Sequence, residues 1–152
     1  MKTKTFNSIL LLFFFFSSIS FAQPGWFTQN SGTNQTLNAN HMLTPAIGWA
    51  VGNAGTIIWT ANGGANWNLE QSGTSQALYA VFFINTAVGW AGGGNGTILY
   101  TTNWGTNWTV KTSGTTQTIF SIYFINPTTG WAAGANGTIL FTTNSGTNWN
   151  SQ

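Results

Sequence analysis

Cysteine, arginine and aspartate are all absent from the 152-residue sequence. Without cysteine, the chain has neither a disulfide framework nor a lipoprotein lipidation site, so packing alone must hold the fold. The charged residues are Lys2, Lys4, Glu70 and Lys111. Because solubility normally depends on net charge, the abundant Asn, Thr, Ser and Gln side chains must hydrate this surface instead.

The same absences restrict the chemistry open to the chain. Glycoside hydrolysis needs two carboxyl groups flanking the scissile bond, and Glu70 is the only acidic side chain. A sialidase would also need arginine for the carboxylate of its substrate. A nucleophilic triad or a metal site would have to be built around Glu70 and His41 alone. We therefore expect a protein that is not an enzyme, with no catalytic residue, no cofactor and no metal site.

The first 22 residues have the three parts of an export signal. Lys2 and Lys4 precede an unbroken apolar run over 9–16, and Ser20 and Ala22 are small residues at the positions that a signal peptidase reads. The apolar run is much shorter than the ~20 residues of a membrane-spanning helix, which disfavours a transmembrane anchor. The predictions are a signal peptide over 1–22, a mature domain over 23–152, and a secreted or cell-surface location, the periplasm included.

Removal of this signal leaves Lys111 and Glu70 as the charged residues, so the mature net charge is near zero. The basic character of the full sequence belongs to the signal and gives no reason to expect a nucleic-acid partner. No membrane span is predicted once the signal is removed.

The mature sequence repeats itself every 41 residues without an insertion. Tryptophan recurs at this interval, as do the tripeptides Gly-Trp-Ala, Ser-Gly-Thr and Gly-Thr-Ile. Segments 67–107 and 108–148 are identical at 23 of 41 positions. A period of roughly 40–50 residues is typical of propeller blades. The chain therefore divides into repeats over about 26–66, 67–107 and 108–148.

Each repeat reads as four short strands. In the middle repeat these are an apolar run over 78–84, a second strand over 89–93, a third over 97–102 and a fourth over 107–112. Asn95-Gly96 favours a tight type I′ hairpin, because both residues tolerate positive φ. Helical periodicity is absent from the mature chain. The predicted fold class is therefore all-β, with four-stranded β-propeller-type blades.

The two ends of the array differ from its middle. Residues 26–30 align with a fourth strand, and the last strand stops just after Trp149, so we expect a chain that is incomplete at its C-terminus. Propellers typically close with about 4–8 blades, so three repeats predict an open arc, or partial propeller. Its open blade edges favour self-association.

The first repeat has the polarity of a capping blade. Asn38 and Asn40 stand where the next repeat has Tyr79 and Val81, as expected of a terminal repeat whose face meets water. His41 occupies the position of Phe82 and Tyr123, so we interpret it as an aromatic stand-in rather than a ligand.

The link between the third and fourth strands is the most specific motif. It has the form Thr-x-Asn-x-Gly-x-x-Trp in every repeat. The Asn side chain is expected to accept from backbone amides two residues on, the Gly to supply positive φ, and the Trp to pack over the blade. The predicted structural residues are Thr60, Asn62, Gly64, Trp67, Thr101, Asn103, Gly105, Trp108, Thr142, Asn144, Gly146 and Trp149.

These turns resemble the Asp-box, or bacterial neuraminidase repeat, Ser-x-Asp-x-Gly-x-x-Trp, with Thr for Ser and Asn for Asp in every copy. Together with Gly-Trp-Ala-x-Gly-x-x-Gly-Thr-Ile, the repeat is similar to that of the photosystem II stability/assembly factor family over roughly residues 26–152. The resemblance implies a propeller with structural Asp-box turns, and photosystem assembly as a role. Those factors are known for an arginine-rich recognition patch, which this chain lacks.

Trp104 is the one candidate contact residue. The matching positions hold Gly63 and Ser145, so the repeat itself does not require an aromatic ring there. An aromatic residue at a turn tip is often a contact residue. The sequence leaves three functions open: a secreted non-catalytic module that binds protein or glycan, a structural piece of a larger surface or matrix protein, and a photosystem II assembly role implied by the resemblance.

Overall fold

A computed structural model describes residues 28–152 of the chain. The predicted signal peptide over 1–22 and the first repeat tryptophan, Trp26, lie outside the described residues.

Twelve strands form three separate four-stranded antiparallel sheets, each in simple up-and-down order. We call the sheets blades 1, 2 and 3. Blade 1 contains β1 (Leu37–Met42), β2 (Gly48–Gly52), β3 (Ile57–Thr60) and β4 (Asn68–Glu70). Blade 2 contains β5 (Leu78–Phe83), β6 (Gly89–Gly93), β7 (Ile98–Thr101) and β8 (Thr109–Lys111). Blade 3 contains β9 (Ile119–Phe124), β10 (Gly130–Gly134), β11 (Ile139–Thr142) and β12 (Asn150–Ser151). The predicted all-β class and four-stranded blades are confirmed.

A tight turn joins the second and third strands of every blade. In blade 2, Asn95 has φ 52° and Gly96 has φ 66°, and the Thr97 amide donates to the Gly94 carbonyl at 3.0 Å. Two successive residues with positive φ closed by this bond form the predicted type I′ turn. The turns occupy Asn53–Gly55, Gly94–Gly96 and Ala135–Gly137.

Successive blades pack face to face. The leading face of a blade is the one toward the preceding blade, and the trailing face is the one toward the next. Phe83 on the leading face of blade 2 stacks on Trp49 of blade 1, with 3.5 Å between ring centroids and 7° between planes. Phe124 of blade 3 stacks on Trp90 of blade 2 in the same way, at 3.5 Å and 9°. Two apolar clusters therefore form the core, one at each blade boundary.

Each stacked indole also makes one hydrogen bond across the boundary. Trp49 Nε1 donates to the Trp104 carbonyl at 3.0 Å, and Trp90 Nε1 donates to the Ser145 carbonyl at 3.1 Å. The acceptor is in both cases the turn between the third and fourth strands of the following blade. We call this pair of contacts, stacking plus hydrogen bond, the indole staple.

Within residues 28–152 no blade follows blade 3, so its trailing face is uncovered. Trp131, the counterpart of Trp90, is 38% exposed, whereas Trp90 is fully buried. Tyr123, Ile125 and Ile139 on the same blade are also exposed. The three sheets do not close into a ring, and the predicted open arc is confirmed.

The leading face of blade 1 is the other end of the arc. Asn40 is exposed there, as expected of a capping blade, whereas the Asn38 side chain donates to the Leu78 carbonyl of blade 2 at 2.9 Å. Residues 28–30 belong to no strand. The fourth strand to which 26–30 align is thus not formed over residues 28–30. Gln29 instead contacts the turn between the third and fourth strands of blade 1, where its side-chain amide donates to the Gly63 carbonyl at 2.9 Å.

The staple can be tested with one pair of matched substitutions. Trp90→Phe keeps a ring against Phe124 but removes part of a fully buried side chain and the donor to the Ser145 carbonyl, so the free energy of unfolding should fall by at least about 1–2 kcal/mol. Trp131→Phe makes the same change where there is no following blade, and should have little effect. Urea unfolding of both variants under dilute conditions measures the difference. Equal losses would contradict the assignment.

Candidate functional site

Side-chain hydrogen bonds build the turns between third and fourth strands. In blade 1, Thr60 Oγ1 accepts from the Gly64 amide at 2.9 Å and donates to Asn62 Oδ1 at 3.0 Å. Asn62 Oδ1 also accepts from the Asn66 amide at 2.9 Å. One buried hydroxyl and one amide oxygen thereby close the whole loop.

The other two blades repeat this network. The Gly105 and Gly146 amides donate to Thr101 and Thr142 at 3.1 and 3.0 Å. The sequence-based account of the Asn was wrong in one detail. Its oxygen accepts from the amide four residues on, because the amide two residues on, that of Gly64, donates to Thr60 Oγ1 at 2.9 Å instead.

The turn tryptophans of blades 2 and 3 pack against the core clusters at the blade boundaries. Trp108 meets Phe83 edge-on at 5.8 Å, and Trp149 meets Phe124 edge-on at 5.9 Å. Hydroxyl, amide and indole groups have no acidic or basic chemistry near neutral pH. The turns can therefore fix a loop, and their side chains include no general acid or base. Their identity as Asp-boxes, and the structural role of each residue, stay predictions.

Trp104 combines an exposed ring with a constrained backbone. Its side chain is 44% exposed, while its amide donates to the Ala87 carbonyl at 3.2 Å and its carbonyl accepts from Trp49. Its φ of 68° is shared by Gly63 at 69° and Ser145 at 61°. Positive φ is unfavourable for a bulky residue, so a tryptophan here costs stability that glycine would not. Strain of this kind is typical of functional positions.

A second aromatic set lies on the first strands, where the blades approach one another. His41, Phe82 and Tyr123 follow one another from blade to blade with ring centroids 5.1 and 5.2 Å apart. Tyr79 and Phe120 form a second such pair beside them, edge to face, with ring centroids 5.6 Å apart. We call these five residues the inner aromatic row. Tyr123 and Phe120 are more than half exposed.

His41 was predicted from the sequence as an aromatic stand-in, but the surface to which it belongs was not predicted. The available signal was the recurrence of an aromatic ring at 41, 82 and 123. The expectation that His41 acts as an aromatic stand-in agrees with its tilted contact with Phe82. Burial lowers the pKa of His41, and the nearby Phe83 backbone opposes this only in part. The imidazole therefore stays neutral near pH 7.

Ionisable chemistry is sparse throughout the described residues. The Lys111 ammonium lies 4.9 Å from the centroid of the Tyr100 ring, a cation–π contact within blade 2. Over residues 28–152, no three His, Cys, Asp or Glu side chains gather at one point. No helix in this part of the chain is long and apolar enough to span a membrane.

No protein-family model and no curated protein matches the chain. Solved structures do. YCF48 bound to a D1 peptide is 23% identical with a TM-score of 0.69, over 78% of this chain and 40% of that one. YCF48 from Cyanidioschyzon merolae is 22% identical with a TM-score of 0.67, over the same shares of 78% and 40%. An ancestral GH74 enzyme is 19% identical with a TM-score of 0.63, over 80% of this chain and 19% of that one.

The chain thus spans well under half the length of each of these neighbours. At such identities the likeness shows the fold, and the propeller that the sequence resemblance implied is confirmed. The photosystem role stays a prediction. Both an enzyme and a peptide-bound protein are among the neighbours, so the fold alone does not choose between catalysis and binding.

Two tryptophans four residues apart should respond differently to substitution. Trp104→Asn removes an exposed ring from a left-handed position that Asn tolerates, so the free energy of unfolding should stay the same or rise by up to about 1 kcal/mol. Trp108→Ala deletes a ring packed on Phe83 and should cost about 3 kcal/mol. Thermal and denaturant unfolding compare the two. A loss in Trp104→Asn as large as that in Trp108→Ala would show that the Trp104 ring is structural.

Proposed function

We propose that this chain is a secreted, non-catalytic propeller module that binds an uncharged segment of another protein along its inner aromatic row. The observation that carries the proposal is the exposure of Phe120 and Tyr123, both on the first strand of blade 3, beside Tyr79 and Phe82 on the first strand of blade 2. Rigid aromatic side chains lose little conformational entropy on binding, so they suit contact surfaces.

The electrostatics of the chain favour such a partner. The described residues carry only Glu70 and Lys111 as fully charged side chains, and Lys111 already contacts Tyr100. The surface therefore offers no field to attract a strongly charged ligand. One fold neighbour is a YCF48 bound to a D1 peptide, which supports a peptide as the kind of ligand that such blades hold.

The secreted location rests on the sequence of residues 1–22, and the absence of catalysis rests on the single carboxyl side chain. Retaining and inverting glycosidases both need a pair of carboxyl groups about 5–10 Å apart. Glu70 has no acidic partner anywhere in the sequence.

Binding can be measured on an array of extended, uncharged ten-residue peptides that alternate apolar and polar positions. The protein should bind a subset of them, and Phe120→Ser should weaken that binding at least about tenfold, because the truncated ring is a central contact. Val110→Ser is the matched control, since Val110 is just as exposed but lies on the outer strand of blade 2. Equal losses in both variants, or binding to a glycan array alone, would contradict a peptide site on the inner row.

Catalysis is tested separately. A panel of β-glucans and sialosides should show no turnover above background with the wild-type chain, because one carboxyl group cannot serve as both acid and base or nucleophile. Turnover that disappears in Glu70→Gln would prove the chain to be an enzyme.

A further inference from the structure

Trp104 adds an indole to a turn that forms without one. Its amide donates to the Ala87 carbonyl at 3.2 Å, and its carbonyl accepts from the indole of Trp49 at 3.0 Å. Gly63 and Ser145 occupy the same turn position with the same positive φ, and their amides make the equivalent bond at 2.9 Å in both blades. The turn therefore does not need the ring, while the backbone bonds on either side hold the ring in one place.

The loop that accepts the Trp104 amide, over residues 84–88, is better covered than its counterparts. Thr86 and Ala87 are half-buried, whereas residues 45–46 and 127–128 at the same repeat positions are exposed. The Trp104 side chain is 44% exposed. Since only blade 2 of the described blades has a large side chain at this turn position, these exposures indicate an indole with one covered face and one open face.

Two exposed asparagine amides lie beside the indole, one preceding it in the turn and one in the loop that its backbone contacts. Asn85 Oδ1 accepts from two backbone amides of its own loop, at 2.9 and 2.8 Å. Asn103 Oδ1 accepts from the Thr101 hydroxyl and the Asn107 amide, both at 3.0 Å. Within residues 28–152 no hydrogen bond joins either Nδ2 to the protein. Each side chain is thus held by its oxygen and presents N–H donors to solvent.

This combination favours an uncharged ligand with an apolar face and several acceptor oxygens. The open face of an indole packs well on C–H groups, and fixed N–H donors need oxygen acceptors. The two charged side chains of the described residues, Glu70 and Lys111, pair with the first residues of β3 and β7, at the ends away from these turns. A sugar ring offers such a C–H face surrounded by hydroxyl oxygens. A peptide strand fits less well, because it brings as many N–H groups as carbonyls to side chains that only donate.

We propose that Trp104, Asn85 and Asn103 form a binding site for a neutral saccharide, in which the indole stacks on one sugar ring and the two amides donate to its hydroxyl oxygens. Within residues 28–152 only blade 2 combines these groups, because the other two turns hold Gly63 and Ser145 in place of the indole. All three side chains belong to blade 2 and none belongs to the inner aromatic row. The proposal therefore goes beyond the proposed function and does not depend on it.

Calorimetric titration of the unmodified chain tests the site. The probes are three uncharged oligosaccharides, cellohexaose, mannohexaose and chitohexaose. At least one of them should bind with a dissociation constant of about 1 mM or lower, as expected of one stacked ring and a few hydrogen bonds. Absence of binding of all three at concentrations of several times about 1 mM would overturn the proposal.

Two substitutions of Trp104 test the stacking. Trp104→Ser copies the turn of blade 3, where Ser145 has nearly the same φ, and should weaken binding at least about tenfold because the central ring is lost. Trp104→Tyr restores an aromatic face and should recover most of the affinity. Unchanged binding in Trp104→Ser, or a loss in Trp104→Tyr as large as that in Trp104→Ser, would overturn the assignment.

A matched pair of substitutions tests the amide donors. Asn85→Thr copies blade 1, where Thr44 Oγ1 accepts from the corresponding loop amides at 3.2 and 3.0 Å, so the loop should keep its structure. Loss of the Nδ2 donor should weaken saccharide binding about fivefold. Asn126→Thr makes the same change in blade 3, where there is no turn indole, and should have no effect.

Equal losses in Asn85→Thr and Asn126→Thr would place the saccharide elsewhere and overturn the proposal. The uncharged peptide array supplies the alternative ligand. Binding to peptides but to none of the three oligosaccharides, with that binding lost in Trp104→Ser, would show that the turn docks a protein segment and would likewise overturn the saccharide site.

Discussion

The indole of the Gly-Trp-Ala motif is the contact on which the arrangement of the blades depends. Trp49 and Trp90 each stack on a phenylalanine of the next blade and donate to a backbone carbonyl of its turn. Stacking alone would allow one sheet to slide or rotate over its neighbour. The directional hydrogen bond fixes the angle as well as the distance, so a chain with no disulfide and almost no ion pairs still has a defined curvature.

This contact explains why the turn between third and fourth strands is so constant in sequence. The carbonyl that receives the indole belongs to a residue with positive φ, and its position is set by the preceding Thr hydroxyl and Asn side-chain oxygen, which accept from the backbone amides that follow it. The turn therefore connects two strands of its own blade and also binds the indole of the preceding blade. Trp104 shows that backbone and side chain have separate roles here. Its carbonyl accepts the indole of Trp49, while its own side chain is partly exposed to solvent.

The repeat made the fold predictable, since each strand and turn was read three times at one interval. Strand bounds came within two residues of those in the structure, as in β5 and β8. The Trp49 and Trp90 hydrogen bonds could not be read from the sequence, because they join positions 55 residues apart in different repeats. The role of Gln29 was equally hidden, since the same repeat position holds Glu70 and Lys111 in blades 1 and 2 and so shows no constant side chain. The inner aromatic row had a sequence signal at 41, 82 and 123, but only the geometry shows it as one surface.

The substitution of Asn for Asp in all three turns also determines how the molecule meets other molecules in solution. An Asp at these positions would give each blade a negative charge near its edge, whereas Asn makes the same hydrogen bonds without one. A body with so little charge neither attracts nor repels a partner at a distance, so its encounters proceed by unguided diffusion at rates of roughly 10⁵–10⁶ M⁻¹s⁻¹. Such rates change little between dilute and concentrated salt, because there is almost no field for the ions to screen.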